Sequence, residues 1–387
     1  MRQRFLLLSA SMGAGHDAVA GELAERLRAR GHEARVEDVL TLLPSGVGLG
    51  LRAGYRAAVR HVPRLYAWIY AAFLAPGPGA PGGPPAPPDG VAVPRPGSAP
   101  LAALAERPLM RVVDGWRPDA VISTFHLSAQ VTGRLRERGV LRVPSVVTVV
   151  DFAVHRGWLH PGNDVYLCVT EAAARAAGAA TGAVAEASGP VVPERFARGS
   201  AAAAGAAAAG RWRAGFERVA PGLPVVLLSA GAWGVGSQLR RTALQLAERE
   251  FCPVLLCGRD ERLRRRAGRL PGTLALGWVQ DMAGLMASAD ALVDNAAGQT
   301  AAQALAAGLP VIGYRPLPGH GAEGVRAMAE AGAAGLARDD GELTATLEEA
   351  VRHGPVREGY VEGGRALFHA DAAQRIAELT LAGVRAS

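Results

Sequence analysis

The sequence has no lysine, so all 42 of its positive charges are arginine, and with 35 acidic residues the formal net charge is +7. A surface that basic attracts phosphates. Aromatic residues make up only 5% of the chain, and no basic run is interleaved with stacking rings. That argues against nucleic acid as the partner and leaves an anionic membrane or a nucleotide diphosphate to account for the charge. Cysteine is scarce: Cys168, Cys252 and Cys257 stand in apolar settings, which excludes a disulfide scaffold or a zinc cluster and reads as small buried hydrophobes. No run of about 18 uncharged apolar residues is present. The segment Met1 to Leu8 lacks a signal-peptide core of usual length and a cleavage site, so the chain is expected in the cytoplasm.

What is present is enough for two hydrophobic cores, since 387 residues with 49% hydrophobic and 20% charged side chains exceed what one core usually organises. The first thirty residues read as a strand at Arg4 to Ser9, a glycine turn at Ser11 to His16 and a helix at Asp17 to Arg30, with Gly31 stopping it and a second strand at Glu33 to Val36. That spacing belongs to βαβ units and a parallel sheet. Further strands are predicted at Ala120 to Ser123, Ser145 to Val150 and Val165 to Cys168. After residue 193 the pattern restarts, with strands near Val225 to Ser229, Val254 to Cys257, Thr273 to Leu276, Ala291 to Val293 and Pro310 to Tyr314. Two doubly wound α/β domains, 1–193 and 194–387, are the economical reading, with the last helix free to pack back on the first.

Three segments interrupt this pattern. The stretch 75–100 is dense in proline and glycine and is expected to be a surface loop. The alanine-rich stretch Arg195 to Arg213 is compatible with a helix or a connector. In residues 51–74, Arg52, Arg56, Arg60 and Arg64 recur every four positions, while Tyr55, Val59, Val62, Tyr66, Ile69 and Phe73 follow three-and-four spacing, and Pro63 should kink or divide the helix. This is either a pair of helices covering the core or an interfacial patch, with arginines meeting lipid phosphates and aromatics entering the headgroup zone.

Gly13, Gly15 and Ala18 satisfy the dinucleotide fingerprint, and Glu37 or Asp38 stands where a ribose-binding acid belongs. Glycines let a backbone approach a ligand, and a helix N-terminus favours negative charge. Two features turn the reading away from a dehydrogenase. His16 follows the tight turn, at the sheet edge where a group titrating near neutrality can act as a base. A second strand and glycine turn, VVLLSAGAWGVGS, opens the other half.

Taken in order, SASMGAGHDAVAGEL, VVDFAVHRGWLHPGNDVYLCVTE, SGPVVPERF, LLSAGAWGVGS, VLLCGRDERL and ALGWVQDMAGLMASADALVDNAAGQTAAQALAAGLPVIGYRPLPGH resemble a known family. It comprises the lipid glycosyltransferases that include monogalactosyldiacylglycerol synthase and the processive diacylglycerol glucosyltransferases, related to the N-acetylglucosaminyltransferase that makes lipid II. The resemblance implies a GT-B fold, two Rossmann-like domains facing across a cleft, with acceptor domain first and donor domain second. It also implies inverting transfer of a hexose from a nucleotide sugar, with UDP as the expected nucleotide, to a lipid hydroxyl such as that of diacylglycerol. Neither a cofactor nor a metal is implied, and the expected location is the inner face of the membrane, reached through the four arginines and nearby aromatics.

Within this resemblance His16 and Asp151 are the candidate catalytic pair, Asp151 taking the acceptor's proton or orienting His16 to do so. Gly13, Gly15, His155 and Trp158 are expected to line the acceptor side. Gly231, Ala232, Gly258, Val279, Asn295, Gly298, Gln299, Thr300, Gln303, Gly319 and His320 are expected on the donor side, with the diphosphate received at the helix N-terminus that follows Gly298. The chain also departs from the family. Asn295, Ala296, Ala297 and Gly298 replace lysine, proline and two glycines, and Gln303 replaces a ribose-binding glutamate. His320, Gly321 and Gly324 replace glutamine, glutamate and asparagine. Alternatives are transfer to a small apolar natural product, epimerisation of a sugar nucleotide, and a non-catalytic binder with a degenerate donor site.

Overall fold

The computed structural model describes residues 2–75, 99–197, 204–236 and 238–386. Most of the proline- and glycine-rich loop expected at 75–100, from 76 to 98, lies outside the described residues, as do 198–203 of the alanine-rich stretch and Ser237 of the second glycine turn. The chain divides into two compact units, Met1–Val191 with His369–Ser387, and Val192–Phe368.

The first unit runs β1 (Arg4–Ser9), α1 (Gly15–Ala29), β2 (Glu33–Asp38), α2 (Val47–His61), α3 (Pro63–Phe73), α4 (Ala99–Trp116), β3 (Ala120–Ser123), α5 (His126–Glu137), β4 (Ser145–Thr148), β5 (Val165–Cys168), α6 (Glu171–Thr181) and β6 (Val184–Ala187). Its six strands are all parallel, in the order β2-β1-β3-β4-β5-β6. Phe5 to Leu8 are fully buried. A strand covered by helices on both faces has no solvent side, so its apolar residues run on without alternating. Val19, Leu23 and Leu27 of α1 share one core with Phe5, Leu7 and Ile122. Residues of α4 and α5, among them Leu109, Val131 and Leu135, fill the other face against Leu6, Leu8 and Val121. Pro63 sits at the first position of α3, where a proline is tolerated, and the predicted break falls there.

The second unit runs α7 (Ala204–Glu217), β7 (Val225–Ser229), α8 (Leu239–Glu248), β8 (Cys252–Leu256), α9 (Glu261–Ala267), β9 (Leu274–Leu276), α10 (Met282–Ala287), β10 (Ala291–Asp294), α11 (Gln299–Ala306), β11 (Val311–Tyr314), α12 (His320–Glu330), β12 (Gly335–Ala337), α13 (Asp340–Val351) and α14 (Pro355–Ala366). Its sheet is again parallel and six-stranded, β12-β11-β10-β7-β8-β9. From Ala204 onward the alanine-rich stretch is therefore a helix.

The last helix, α15 (Ala372–Ala386), belongs to the first unit. Ala373, Ile376 and Ala377 join the core formed by α1 and its sheet face. Arg375 donates twice to Glu186 of β6, at 2.7 and 2.6 Å, and Arg30 donates to Asp371 at 2.6 Å. The Arg375 guanidinium holds Glu186 below the usual carboxylate range. Burial pushes Asp371 up, but Arg26, Arg30 and two backbone N–H groups outweigh it and hold the carboxyl low. All three cysteines are free and buried, and burial pushes the Cys168 thiol up to about 12 and those of Cys252 and Cys257 to about 11. No helix among the described residues is long and apolar enough to cross a membrane.

Candidate active site

Both sheets change winding direction beside their first strand, β1 next to β3 and β7 next to β10. Ligands of doubly wound sheets bind outside the carboxyl ends at such switch points. In the first unit, the loops leaving β1, β3 and β4 carry His16, Thr124 to His126, and Asp151 to Trp158. Gly13 adopts φ +148, which L side chains rarely take, so the turn before α1 needs a glycine there. Gly15 opens α1, and His16 is its second residue.

The Nδ1 atom of His16 lies 2.9 Å from the Thr124 carbonyl oxygen. A carbonyl only accepts, so Nδ1 carries a proton, and in the neutral tautomer the lone pair lies on Nε2. Thr124 is itself fixed by its N–H to the Leu8 carbonyl at 2.9 Å. Phe125 packs edge-on against the His16 ring, with centroids 4.9 Å apart, and Trp158 stands 6.3 Å away. The orienting partner of His16 is therefore a backbone carbonyl. Asp151, expected as the alternative orienter, is engaged elsewhere.

Asp151 Oδ2 accepts from the Trp158 indole N–H at 2.8 Å and lies 3.6 Å from His155 Nε2. Trp158 is fully buried, and a buried indole N–H requires an acceptor. His155 Nδ1 accepts from the Gly157 N–H at 3.1 Å, which leaves the His155 proton on Nε2, facing Asp151. The half-site thus brings together the His16 imidazole, with Nδ1 turned to the Thr124 carbonyl, and a carboxylate held by the Trp158 indole N–H, with His155 Nε2 3.6 Å away.

Sequence reasoning missed three members of this cluster. His126 stands 5.3 Å from His155 and 6.2 Å from Trp158, ring centre to ring centre. Tyr70 meets His155 edge-on at 5.9 Å, and Thr124 supplies the carbonyl. The signal was available for His126, because a strand ending in serine and followed by a histidine in the first turn of the next helix repeats the arrangement of β1 and His16. Of the two readings of 51–74, a pair of helices covering the core fits the buried aromatic side. Val59, Tyr66 and Tyr70 are buried, and the Tyr55 and Tyr66 rings pack edge-on at 5.6 Å, so these residues face the protein interior. The exposed large apolar residues of α3 are Leu65, Trp68 and Phe73. Arg52, Arg56 and Arg64 are exposed, and Arg52 reaches Ser11 of the glycine turn at 3.5 Å. The residues proposed as ribose acids have other duties: Asp38 accepts from Ser11 at 2.6 Å and from Leu40 N–H at 2.9 Å, and Glu37 pairs with Arg35.

In the second unit Gly231, Ala232 and Gly258 meet. A Cβ on Gly258, at φ +58, would lie 2.4 Å from the Gly231 carbonyl oxygen and 2.7 Å from that of Ala232. The Arg259 N–H donates to the Ala232 carbonyl at 3.0 Å, and its guanidinium lies 4.6 Å above the Trp278 ring, beside Val279. At the end of β10, the buried Asp294 accepts from Ala296 N–H at 2.9 Å and Ala297 N–H at 2.6 Å. Burial raises the carboxyl's pKa against the opposing pull of these donors and of Ser229. This turn holds Ala297 at φ +47, a left-handed conformation unfavourable for any residue with a Cβ, at the position where the family has glycine.

Gly298 caps α11 with no side chain, so no side-chain oxygen at that position competes for the helix's leading N–H groups. Gln299, Thr300 and Gln303 follow on α11. The Asn295 amide donates to the Val235 carbonyl at 3.3 Å, tying this turn to the loop after β7, and the Asn295 carbonyl accepts from Leu317 N–H at 2.7 Å. Gly319 caps α12, and His320 is its first residue. Gly321 and Gly324 are buried: a Cβ on Gly321 would meet Leu317 Cβ at 3.0 Å, and one on Gly324 would meet Ala297 Cβ at 3.1 Å. Small residues here thus let α12 approach the 295–297 turn.

Residues 97–186 match the family model described as monogalactosyldiacylglycerol (MGDG) synthase. The processive diacylglycerol beta-glucosyltransferase of Bacillus cereus (strain ZK / E33L) is 23% identical over 302 residues, 73% of this chain and 72% of the relative. The protein of the same name from Bacillus anthracis (strain CDC 684 / NRRL 3495) gives the same figures. Among solved structures, Anabaena Alr3699/HepE in complex with UDP-glucose aligns over 100% of both chains, with TM-score 0.57 and 14% identity. Acinetobacter baumannii MurG aligns over 98% of this chain and 99% of its own, with TM-score 0.56 and 15% identity. Fold and relatives define a glycosyltransferase of the two-domain GT-B class. Within that class the chain is similar, over residues 97–186 and at 23% identity over 302 residues, to the monogalactosyldiacylglycerol synthase model and to the processive diacylglycerol glucosyltransferases.

Proposed function

We propose that this enzyme transfers a hexose from a UDP-sugar to a hydroxyl of diacylglycerol, with inversion at the anomeric carbon and without a metal ion or other cofactor. The observation that carries the chemistry is the His16 tautomer. With Nδ1–H held by the Thr124 carbonyl, Nε2 is the atom able to take a proton from an attacking alcohol. Asp151, with one oxygen engaged by Trp158, presents the second carboxylate oxygen as the other proton acceptor or as an orienting group for the alcohol. Direct attack by the held hydroxyl inverts the anomeric centre. On the donor side, the N-terminus of α11 behind Gly298 provides the positive end of a helix for the leaving diphosphate, with Thr300 as a hydroxyl donor. Gly231, Ala232 and Gly258 form the backbone surface against which the nucleotide lies, next to Trp278 and Val279, and Asn295 and Gln303 stand where the family has charged residues. The enzyme meets an anionic membrane at the cytoplasmic face through Arg52, Arg56 and Arg64 of the α2 and α3 segment, with Leu65 and Trp68 as the apolar contacts.

The test is incubation of the purified protein with radiolabelled UDP-glucose or UDP-galactose and vesicles of diacylglycerol with anionic phospholipid, with and without EDTA. A labelled β-glycolipid whose yield EDTA does not change is expected. Free epimerised nucleotide sugar, an α-linked product, or label transferred only to a soluble aglycone would overturn the reading.

A further inference from the structure

Helices α2 and α3 stand over the loops that carry the reacting groups. At one end Arg52 of α2 reaches Ser11 of the glycine turn at 3.5 Å. At the other, Arg156 donates to the carbonyls of Ala72 and Phe73 at 3.1 and 2.7 Å, and its backbone N–H donates to that of Leu74 at 2.8 Å. The last carbonyls of a helix have no partner within it, and here they are satisfied by a residue of the same loop as Asp151 and His155. The spacing between α3 and the carboxylate is fixed by this latch.

Three tyrosines line the inner side of the two helices. Tyr70 stands edge-on to His155, whose Nε2 faces Asp151. Tyr66 is buried, whereas Tyr55, one turn past Arg52, is half-buried. The two phenols share a hydrogen bond. Burial, with the Asp151 charge adding to it, raises both, Tyr55 to about 12 and Tyr66 further, so both are neutral at physiological pH. A neutral phenol both donates and accepts.

We propose that the Tyr55 and Tyr66 phenols position the acceptor: Tyr55 contacts the hydroxyl-bearing headgroup beside Asp151, and Tyr66 acts through Tyr55 by fixing its hydroxyl. The ligand chemistry is an alcohol with a neighbouring ester oxygen, as in a diacylglycerol. The phenol addresses the ester and leaves the alcohol to the carboxylate and to His16. This assignment rests on the lipid-acceptor reading above.

The experiment uses full-length Tyr55→Phe and Tyr66→Phe proteins, which keep both rings, with dioctanoylglycerol in mixed micelles and UDP-glucose. Losing one hydrogen bond to substrate should raise the dioctanoylglycerol KM about tenfold in Tyr55→Phe and by roughly threefold in Tyr66→Phe. The UDP-glucose KM should be unchanged and the Tm should fall equally in the two variants, by about 2–4 °C for the hydrogen bond they share, whereas the acceptor KM should rise more in Tyr55→Phe, a split that loss of packing would not give. Acceptor KM values within about twofold of wild type in both variants overturn the proposal. Should the wild-type protein transfer to no lipid, the function reading fails by itself, and equilibrium binding of dioctanoylglycerol decides the tyrosines. Binding that Tyr55→Phe weakens supports the assignment, and equal binding or none overturns it.

Discussion

The contact between Ala297 and Gly324 carries a prediction whose sign depends on the background. Placing alanine at position 324, inside α12, gains about 1 kcal/mol of helix propensity over glycine. In the native protein the new Cβ would lie 3.1 Å from that of Ala297, which is closer than carbon atoms normally approach. Crowding a packed site by one methyl costs roughly 1–3 kcal/mol, so Gly324→Ala alone should be neutral or destabilising by up to about 2 kcal/mol. Ala297→Gly removes the opposing methyl and relieves the φ +47 strain, leaving Ala296 O at 3.7 Å as the nearest remaining neighbour of the new Cβ. In that background Gly324→Ala should stabilise by roughly 0.5–1 kcal/mol. The coupling, read by denaturant unfolding of the donor-unit transition and by Tm with and without UDP, should therefore reach about 1 kcal/mol or more. An effect of Gly324→Ala that is the same in both backgrounds to within about 0.3 kcal/mol would refute the steric argument.

Further outcomes follow from the same contacts. Asp151→Asn keeps an acceptor oxygen for the Trp158 indole, so stability should fall by only about 1 kcal/mol, while kcat drops by roughly 10²–10⁴; a full-rate variant in a steady-state transfer assay would remove Asp151 from the chemistry. Gly258→Ala, with its Cβ driven against two carbonyl oxygens, should weaken UDP binding by about tenfold or more, measured by calorimetry, while acceptor binding stays as it was. Glu186 and Asp371 have depressed pKa values, so the stability they lend to the docking of α15 is present above the unfolded carboxylate range and fades as pH falls through the lower folded values. Hydrogen exchange of α15 should rise selectively below about pH 4, and in Arg375→Met it should be faster at neutral pH and less sensitive to acid.

How much of this was legible in the sequence varied with the strength of the local pattern. β1, β3, β5 and β7 are apolar runs buried on both faces, and their expected limits match those observed. β6 (VAEA) and β12 (GLA) were missed because short strands at the sheet edges, with Val184 as their one β-branched residue, lack the apolar run that marks the central strands. His16, Asp151, His155 and Trp158 do gather in the first unit, but the hydrogen bonds among them were not legible. The partner of His16 is a backbone carbonyl from a loop 108 residues away, and no side-chain motif announces a carbonyl. The helical period of 51–74 was legible, but which of its stripes meets the core was not. Spacing places residues on one stripe without saying which stripe meets the core.

The proton route through His16 is tested most directly by single-turnover transfer from labelled UDP-sugar to diacylglycerol in His16→Ala, with UDP binding followed in parallel by thermal shift. Retained UDP stabilisation together with a loss of transfer of about 10²-fold or more is expected. Transfer at the wild-type rate would contradict it.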